Sequence, residues 1–328
     1  MSERRAAVLL TGVGKRYDIV SAFAQHAFVI AADPSPLAPA QYAADVRVAP
    51  PRADDPGYVP FLTELCERHG VRAVVPLTDL DLELLARSPL PAWVPDAEVC
   101  RATFDKYLAH LLLCEHGLPS PPTWLPGEPA QGYPAVVKPR RGSGSRSIHP
   151  AADEDEAAFF ARYVKEPVMV QRLLDGPEFS VDLLCDRDGR CLNAIPRTML
   201  ESRGGESIKG AVIADPELIE LGRAVAERLP LRGPATVQMF RDPELGLRVT
   251  DINARFGGAF PAPMYAARPG RTYPELIVRM ACGERVEPHV GDFADGLTFT
   301  RFYWQIELDE RMVPTGRDIV PGGPRSPR

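Results

Sequence analysis

Lysine is scarce in this chain of 328 residues. It occupies five positions, Lys15, Lys106, Lys138, Lys165 and Lys209, while 33 of the 38 cationic residues are arginine. Where arginine is the default cation, a lysine marks a place that suits a compact ammonium better than a planar fork. No apolar run reaches the roughly 20 residues of a membrane span. The opening Met1-Ser2-Glu3-Arg4-Arg5 leads into a short strand-like run, without the long apolar stretch or cleavage site of a signal peptide. The six cysteines form no Cys-x-x-Cys pair, and the six histidines have no metal-ligand spacing. Free thiols in a reducing cytoplasm are the expectation. A net charge of −6 speaks against a nucleic-acid surface, which needs a basic excess. A nucleophile-elbow Gly-x-Ser-x-Gly, a His-Glu-x-x-His and a kinase catalytic loop are all missing.

What is present reads in two textures. Apolar runs at 6–10, 27–32 and 71–76 alternate with helical spacing up to about residue 25 and over 58–69. Strand, helix, strand, helix, strand predicts a parallel sheet with crossover helices. Gly12 and Gly14 follow the first strand, at the end where open α/β sheets place ligands. No third glycine arrives, so the dinucleotide fingerprint is incomplete and a tight turn is the better reading. Residues 101–116 read as one amphipathic helix starting near Thr103 and stopping at Gly117. Past a Pro-rich connector, strands are expected at 135–138, 168–171, 179–185, 191–195, 236–240 and 247–252, with a turn at Asp188-Gly189. Helices are expected at 153–163, 216–229 and 273–282. The second texture is therefore α+β, built on antiparallel sheets. The last dozen residues, rich in Pro, Gly and Arg, suggest a tail.

Four segments carry candidate chemistry. In the first, an apolar strand delivers Lys138, and Gly142, Ser143, Gly144 and Ser145 follow. The lysine suits phosphate as a point charge, and glycine backbone N–H groups can close over phosphate oxygens. The second runs from Gln171 through Leu173 and Leu174 to Glu178. Such a hinge can pair with an adenine edge, and a carboxylate just beyond can accept ribose hydroxyls. The third holds Asp251, Asn253 and Arg255, which share one face of a strand because residues two apart point the same way. With Gln238 from a neighbouring strand, Asp251 and Asn253 form an oxygen donor set suited to Mg²⁺, and Arg255 can hold a phosphoryl group. The fourth is 203–210, a glycine-rich polar stretch around Arg203. Taken singly, each also has an ordinary reading: a hairpin, a solvated strand edge or a surface loop. His110 and His116 read as surface or packing residues.

The order of these segments resembles the ATP-grasp superfamily, most closely the synthetase halves of the carbamoyl phosphate synthase large subunit, over about residues 1–285. That resemblance implies an α/β N-terminal domain with a parallel sheet, followed by an ATP-grasp fold of two lobes with antiparallel sheets. The expected boundaries are 1–100 for the first domain, 101–172 for the small lobe, 173–312 for the large lobe and 313–328 for a flexible tail. Asp105-Lys106 looks like the family's first nucleotide-binding lysine, and Lys138 with residues 142–145 like the second cation and phosphate-covering loop. Gln171, Leu173, Leu174 and Glu178 match the adenine hinge and ribose carboxylate. Gln238, Asp251 and Asn253 match the metal ligands, Arg255 the phosphate-binding arginine, and Arg203 a position that is often His. Asp251 stands where the family usually has Glu, and Gln171 where Glu is frequent.

The implied chemistry is an ATP-dependent ligase that uses ATP and Mg²⁺, or Mn²⁺ in its place, to activate a small carboxylic acid for attack by an amine or other nucleophile. A homodimer is compatible with it. The sequence carries one ATP-grasp unit, so carbamoyl phosphate synthesis itself is not expected. A small-molecule kinase on the same scaffold and a nucleotide-binding regulatory protein remain as rivals. Arg268, Arg271 and Arg301 are candidates to meet a substrate carboxylate.

Overall fold

The computed structural model describes residues 5–142, 147–203, 206–258, 262–302 and 305–315, with the side chains of Arg203 and Glu206 outside the description. Its first apolar run forms β1 (Ala7–Thr11), buried throughout. Then come α1 (Tyr17–Ala24), β2 (Phe28–Ala32), a 3₁₀ turn at Pro39–Ala43, β3 (Val46–Val48), α2 (Tyr58–His69) and β4 (Val71–Pro76). The four strands are parallel, in the order β3-β2-β1-β4. The chain moves outward from β1 and then returns past it to β4, so the strand order reverses between those two. Their carboxyl ends flank the kind of crevice where open α/β sheets bind ligands. Gly12 turns there with φ +58°, and a Cβ on it would come within 2.4 Å of Thr78 Cγ2. Asp33, at the end of β2, accepts from the N–H groups of Gly14 and Ser35. The acid that a dinucleotide site would offer to a ribose is thus engaged in shaping the loop.

Next are α3 (Leu82–Ala86), α4 (Ala97–Phe104) and α5 (Lys106–Glu115). The single helix expected over 101–116 is two. Asp105 takes an extended backbone (φ −116°, ψ 110°) and caps α5, its carboxylate accepting from the N–H groups of Tyr107 and Leu108. An aspartate at this position breaks one helix and starts another, because its side chain satisfies N–H groups that a continuous helix would have bonded internally.

A small lobe follows: β5 (Thr123–Trp124), β6 (Ala135–Pro139), β7 (His149–Ala151), α6 (Glu154–Tyr163) and β8 (Val168–Arg172). These strands form an antiparallel sheet in the order β5-β8-β6-β7. Its core is its own: Trp124, Ala135, Val137, Ala157, Val164 and Val170.

The large lobe contains β9 (Glu178–Cys185), β10 (Cys191–Thr198), β11 (Glu201–Arg203), β12 (Glu206–Ala211), α7 (Pro216–Arg228), β13 (Gly233–Asp242), β14 (Gly246–Asn253), α8 (Ala262–Tyr265), α9 (Tyr273–Ala281) and β15 (Thr298–Thr300). One antiparallel sheet runs β10-β9-β13-β14, and a smaller one runs β11-β12-β15. The stretch around Arg203, read as a surface loop, is thus largely strand; Gly204 and Gly205 lie outside the described residues. Helix α7 covers one face of the larger sheet, where Leu218, Val225 and Leu229 meet Val181, Leu183 and Val237. The opposite end of that sheet contributes Leu184, Leu192 and Ile195 to a core shared with Val8, Leu10 and Val75 of the parallel sheet. The parallel sheet and the large lobe are therefore built on common apolar ground. Among the described residues, no helix is long and apolar enough to cross a membrane.

Candidate active site

Period-two alternation sorts the large sheet. Val181, Leu183, Val237 and Met239 face α7, so Glu178, Ser180, Asp182, Thr236 and Gln238 face the other way. Register sharpens this: Gln238 lies opposite Asp251, and Thr236 opposite Asn253. The three expected metal ligands therefore meet on one face of two adjacent strands. Asn253 donates from Nδ2 to Asp251 Oδ2 at 3.3 Å and accepts at Oδ1 from Arg255 at 2.9 Å. Gln238 donates from Nε2 to Glu178 Oε1 at 3.0 Å, which leaves its own amide oxygen.

The lysines come from α5 and from the small lobe. Lys106, the first residue of α5, reaches the Gly142 carbonyl at 2.9 Å and stands 3.6 Å from Asp251 Oδ1. Lys138, on β6, is 9% exposed and donates to Gln171 Oε1 at 2.9 Å. Burial pushes its ammonium down to about 8, opposed first by Asp251; Lys106 lowers it further and Glu178 raises it. Lys106, His110, Gln171 and Asp251 line one narrow crevice between the lobes. The approach of Lys106 to Asp251 joins it to the oxygen donor set, and Lys138 feels the same carboxylate electrostatically.

Asp105 ties the cationic side together. Beyond capping α5, it takes both Nε and Nη2 of Arg140 at 3.0 and 2.8 Å, and the Arg140 carbonyl accepts the Lys106 N–H at 2.8 Å. One carboxylate thus aligns the start of α5 with the strand end that carries Lys138.

Several expected residues sit differently from their reading. The Gln171 side chain, expected at an adenine edge, spans Lys138 and Thr123, donating to Thr123 Oγ1 at 2.9 Å. Leu173 gives its N–H to the Pro134 carbonyl. Among the described residues this leaves Leu174 as the hinge position with an uncommitted N–H. Gly142 begins the covering loop with φ +123°, while Ser143, Gly144 and Ser145 lie outside the described residues. Arg203 is placed at the end of β11, opposite Glu206 of β12. Arg268 and Arg271 both bind Asp292, so neither is held out for a substrate. His110 lines the crevice and meets Ser120 Oγ at 2.8 Å.

Sequence reasoning missed two partners. Arg255, 7% exposed, donates from Nε and Nη2 to Asp79 Oδ2 at 3.2 and 2.8 Å. That pair joins the metal-ligand strand to the crevice at the end of β4. Arg197, on β10, is buried against Asp182 at 2.8 Å. The end of the β4 run at Asp79 was a signal for the first; nothing local marked Arg197 among so many arginines.

The oxygen set suits Mg²⁺. It is hard and neutral-plus-anionic, and Mg²⁺ commonly takes one or two protein carboxylates and fills its remaining positions with water and phosphate oxygens. Among the described residues no three His, Cys, Asp or Glu side chains gather into a metal cage.

Two segments of the chain match known protein families. Residues 8–90 match the family model described as PylC-like, N-terminal domain, and residues 164–301 match the model described as ATP-grasp in the biosynthetic pathway with Ter operon. The carbamoyl phosphate synthase large chain, C-terminal section, of Methanopyrus kandleri is 26% identical over 271 residues, covering 70% of this chain and 47% of that protein. The 3-methyl-D-ornithine–L-lysine ligase of Methanosarcina mazei is 27% identical over 189 residues, covering 56% of this chain and 47% of that protein. This chain thus spans about half the length of either relative. An L-amino acid ligase from Bacillus licheniformis superposes with a TM-score of 0.68 at 16% identity, covering 93% of this chain and 83% of that one, a likeness of fold. Motif order, the fold and the matched models point the same way: the chain is similar to ATP-grasp proteins, the carbamoyl phosphate synthase large chain among them.

Proposed function

We propose that this protein is an ATP-dependent ligase that activates a small carboxylic acid as an acyl phosphate for attack by an amine. The observation that carries the reading is the 3.6 Å approach of Lys106 to Asp251, which sets a phosphate-type cation beside a magnesium-type oxygen set. Lys106 and Lys138 would neutralise phosphate charge, and Leu174 would meet the adenine. Glu178 would take ribose hydroxyls, and Arg255 would hold the transferring phosphoryl. Gln238, Asp251 and Asn253 would hold Mg²⁺, which supplies charge neutralisation to the phosphates. A carboxylate oxygen of the acid attacks the γ-phosphorus, the bond to the β-phosphate oxygen breaks, and ADP leaves. An amine then attacks the acyl carbon, loses a proton and expels inorganic phosphate. Catalysis on this scheme is positioning and charge neutralisation.

Hydroxylamine is the test. Incubated with ATP, Mg²⁺ and a panel of small acids, the enzyme should form a hydroxamate together with ADP. A stable phosphate ester in its place would reassign the protein to small-molecule kinases. Lys138→Ala and Asp251→Asn should each abolish ADP release while the circular dichroism spectrum is kept. Normal turnover in both would refute the reading.

A further inference from the structure

The pair formed by Asp79 and Arg255 stands where the parallel sheet meets the metal-ligand strand, and the ligase scheme leaves Asp79 without a role. A guanidinium carries five N–H donors. In Arg255, Nε and one Nη2 proton go to Asp79 Oδ2 at 3.2 and 2.8 Å. The other Nη2 proton goes to Asn253 Oδ1 at 2.9 Å, and one Nη1 proton to the Phe256 carbonyl at 2.9 Å. Among the described residues this leaves one Nη1 proton uncommitted. Bidentate capture of a phosphoryl group needs two parallel N–H groups, and the Nε–Nη2 edge is taken by Asp79. The cation assigned to the phosphoryl is thus occupied by an internal carboxylate.

The backbone on either side of Arg255 is pinned. Ala254 is buried in one core of the parallel sheet, with Leu9 and Val74. Phe256 is buried in the other, with Val8 and Leu10, and meets the Phe23 ring edge-on at 6.0 Å. An exchange of partners at Arg255 therefore falls to side chains. Asp79 is the less confined of the two, its side chain 23% exposed. Residues 78–80 arch between Leu77, whose N–H bonds the Thr11 carbonyl, and Asp81, which accepts from the buried Tyr58 hydroxyl at 2.6 Å. A cation as buried as Arg255 needs a counter-ion. Trading Asp79 for a phosphate alone swaps one anion for another, with little net gain. A γ-phosphate and an acid's carboxylate together bring two.

We propose that Asp79 is a positioning residue: it holds Arg255 back from the phosphoryl group until an acid enters the crevice at the end of β4, and so suppresses transfer to water. The inference rests on the ligase reading above, with Arg255 as holder of the phosphoryl. In the suppressed reaction a water oxygen attacks the γ-phosphorus and loses a proton, the bond to the β-phosphate oxygen breaks, and ADP and inorganic phosphate leave. Weakening the Asp79 contact should therefore strengthen the hold on a phosphoryl group, whereas loss of a structural brace would weaken it.

The test is the affinity of the full chain for MgADP, by titration calorimetry, with and without aluminium fluoride as an analogue of the transferring phosphoryl. Asp79→Asn keeps the shape of the side chain and removes its charge. It should enlarge the gain from aluminium fluoride by at least about tenfold over the wild type, the worth of one charge-assisted hydrogen bond. Asp79→Ser should do the same, and it supplies the test if Asp79→Asn does not fold. Asp79→Glu restores the charge and should return most of the way to the wild type. ADP release from MgATP with no acid added should rise by a similar factor in the two neutral variants. A gain no larger than the wild type's in the neutral variants, or an acid-free ADP release that does not rise, overturns the inference and leaves the nucleotide site standing. No gain from aluminium fluoride in any of these chains overturns the inference together with the phosphoryl role of Arg255 beneath it.

Discussion

Lys138 shows how much one buried side chain can report. Its direct partner is a neutral amide, Gln171, and the carboxylates of Asp251 and Glu178 offset only part of the cost of burying the charge, so its ammonium is held at about 8. A phosphate would repay that cost. The sign follows: nucleotide binding raises the lysine above its free value, so binding takes up a proton near pH 8, and affinity falls as pH rises through that value. Calorimetry in two buffers of different ionisation heat should detect this uptake, and Lys138→Met should erase it. Removing one charge-assisted contact costs about 1.5–3 kcal/mol, so the variant should bind MgADP roughly 10- to 100-fold more weakly. The residue types of the site were legible because Lys is scarce and Asp251, Asn253 and Arg255 recur with a strand's period of two. The Asp79–Arg255 pair was not, since its members stand 176 residues apart and no local pattern links them.

Elements were legible in proportion to their length. The eight- and ten-residue strands β9, β10, β13 and β14 carry full alternation and fall near their expected places. β5, with two residues, and β3, β7, β11 and β15, with three each, are too short to show a period at all. The break between α4 and α5 escaped notice for another reason. Helical spacing persists through 101–116, and what ends one helix and begins the next is the capping geometry of Asp105. Asp105→Ala should therefore act twice. Loss of the cap costs about 1 kcal/mol, and Arg140 loses its buried carboxylate. A lowered thermal midpoint together with weaker MgADP binding is the expected outcome. Weaker binding at an unchanged midpoint would mean that the cap does not hold α5.

At the scale of the whole molecule the expected order held: a parallel sheet first, then two antiparallel lobes facing across a cleft. Composition and motif order sufficed for that, because each sheet type has its own period and each connection its own turn residues. What one-dimensional reading could not provide was the sharing of cores. Leu184, Leu192 and Ile195 pack with Val8, Leu10 and Val75, whereas Trp124, Val137 and Val170 pack among themselves. Hydrogen exchange should register the difference. Amides of β6 and β8 should exchange through an opening of lower free energy than those of β1 and β9, and MgADP should slow the former more.

The separate core of the small lobe also fixes which part is the door and which the frame. A piece with its own packing can swing on its Pro-rich connectors without tearing a seam elsewhere. The rest, fused through common side chains, has to turn as one block. Lys138 rides on the door and Asp251 on the frame, so each cycle of entry and release would change the spacing between the two.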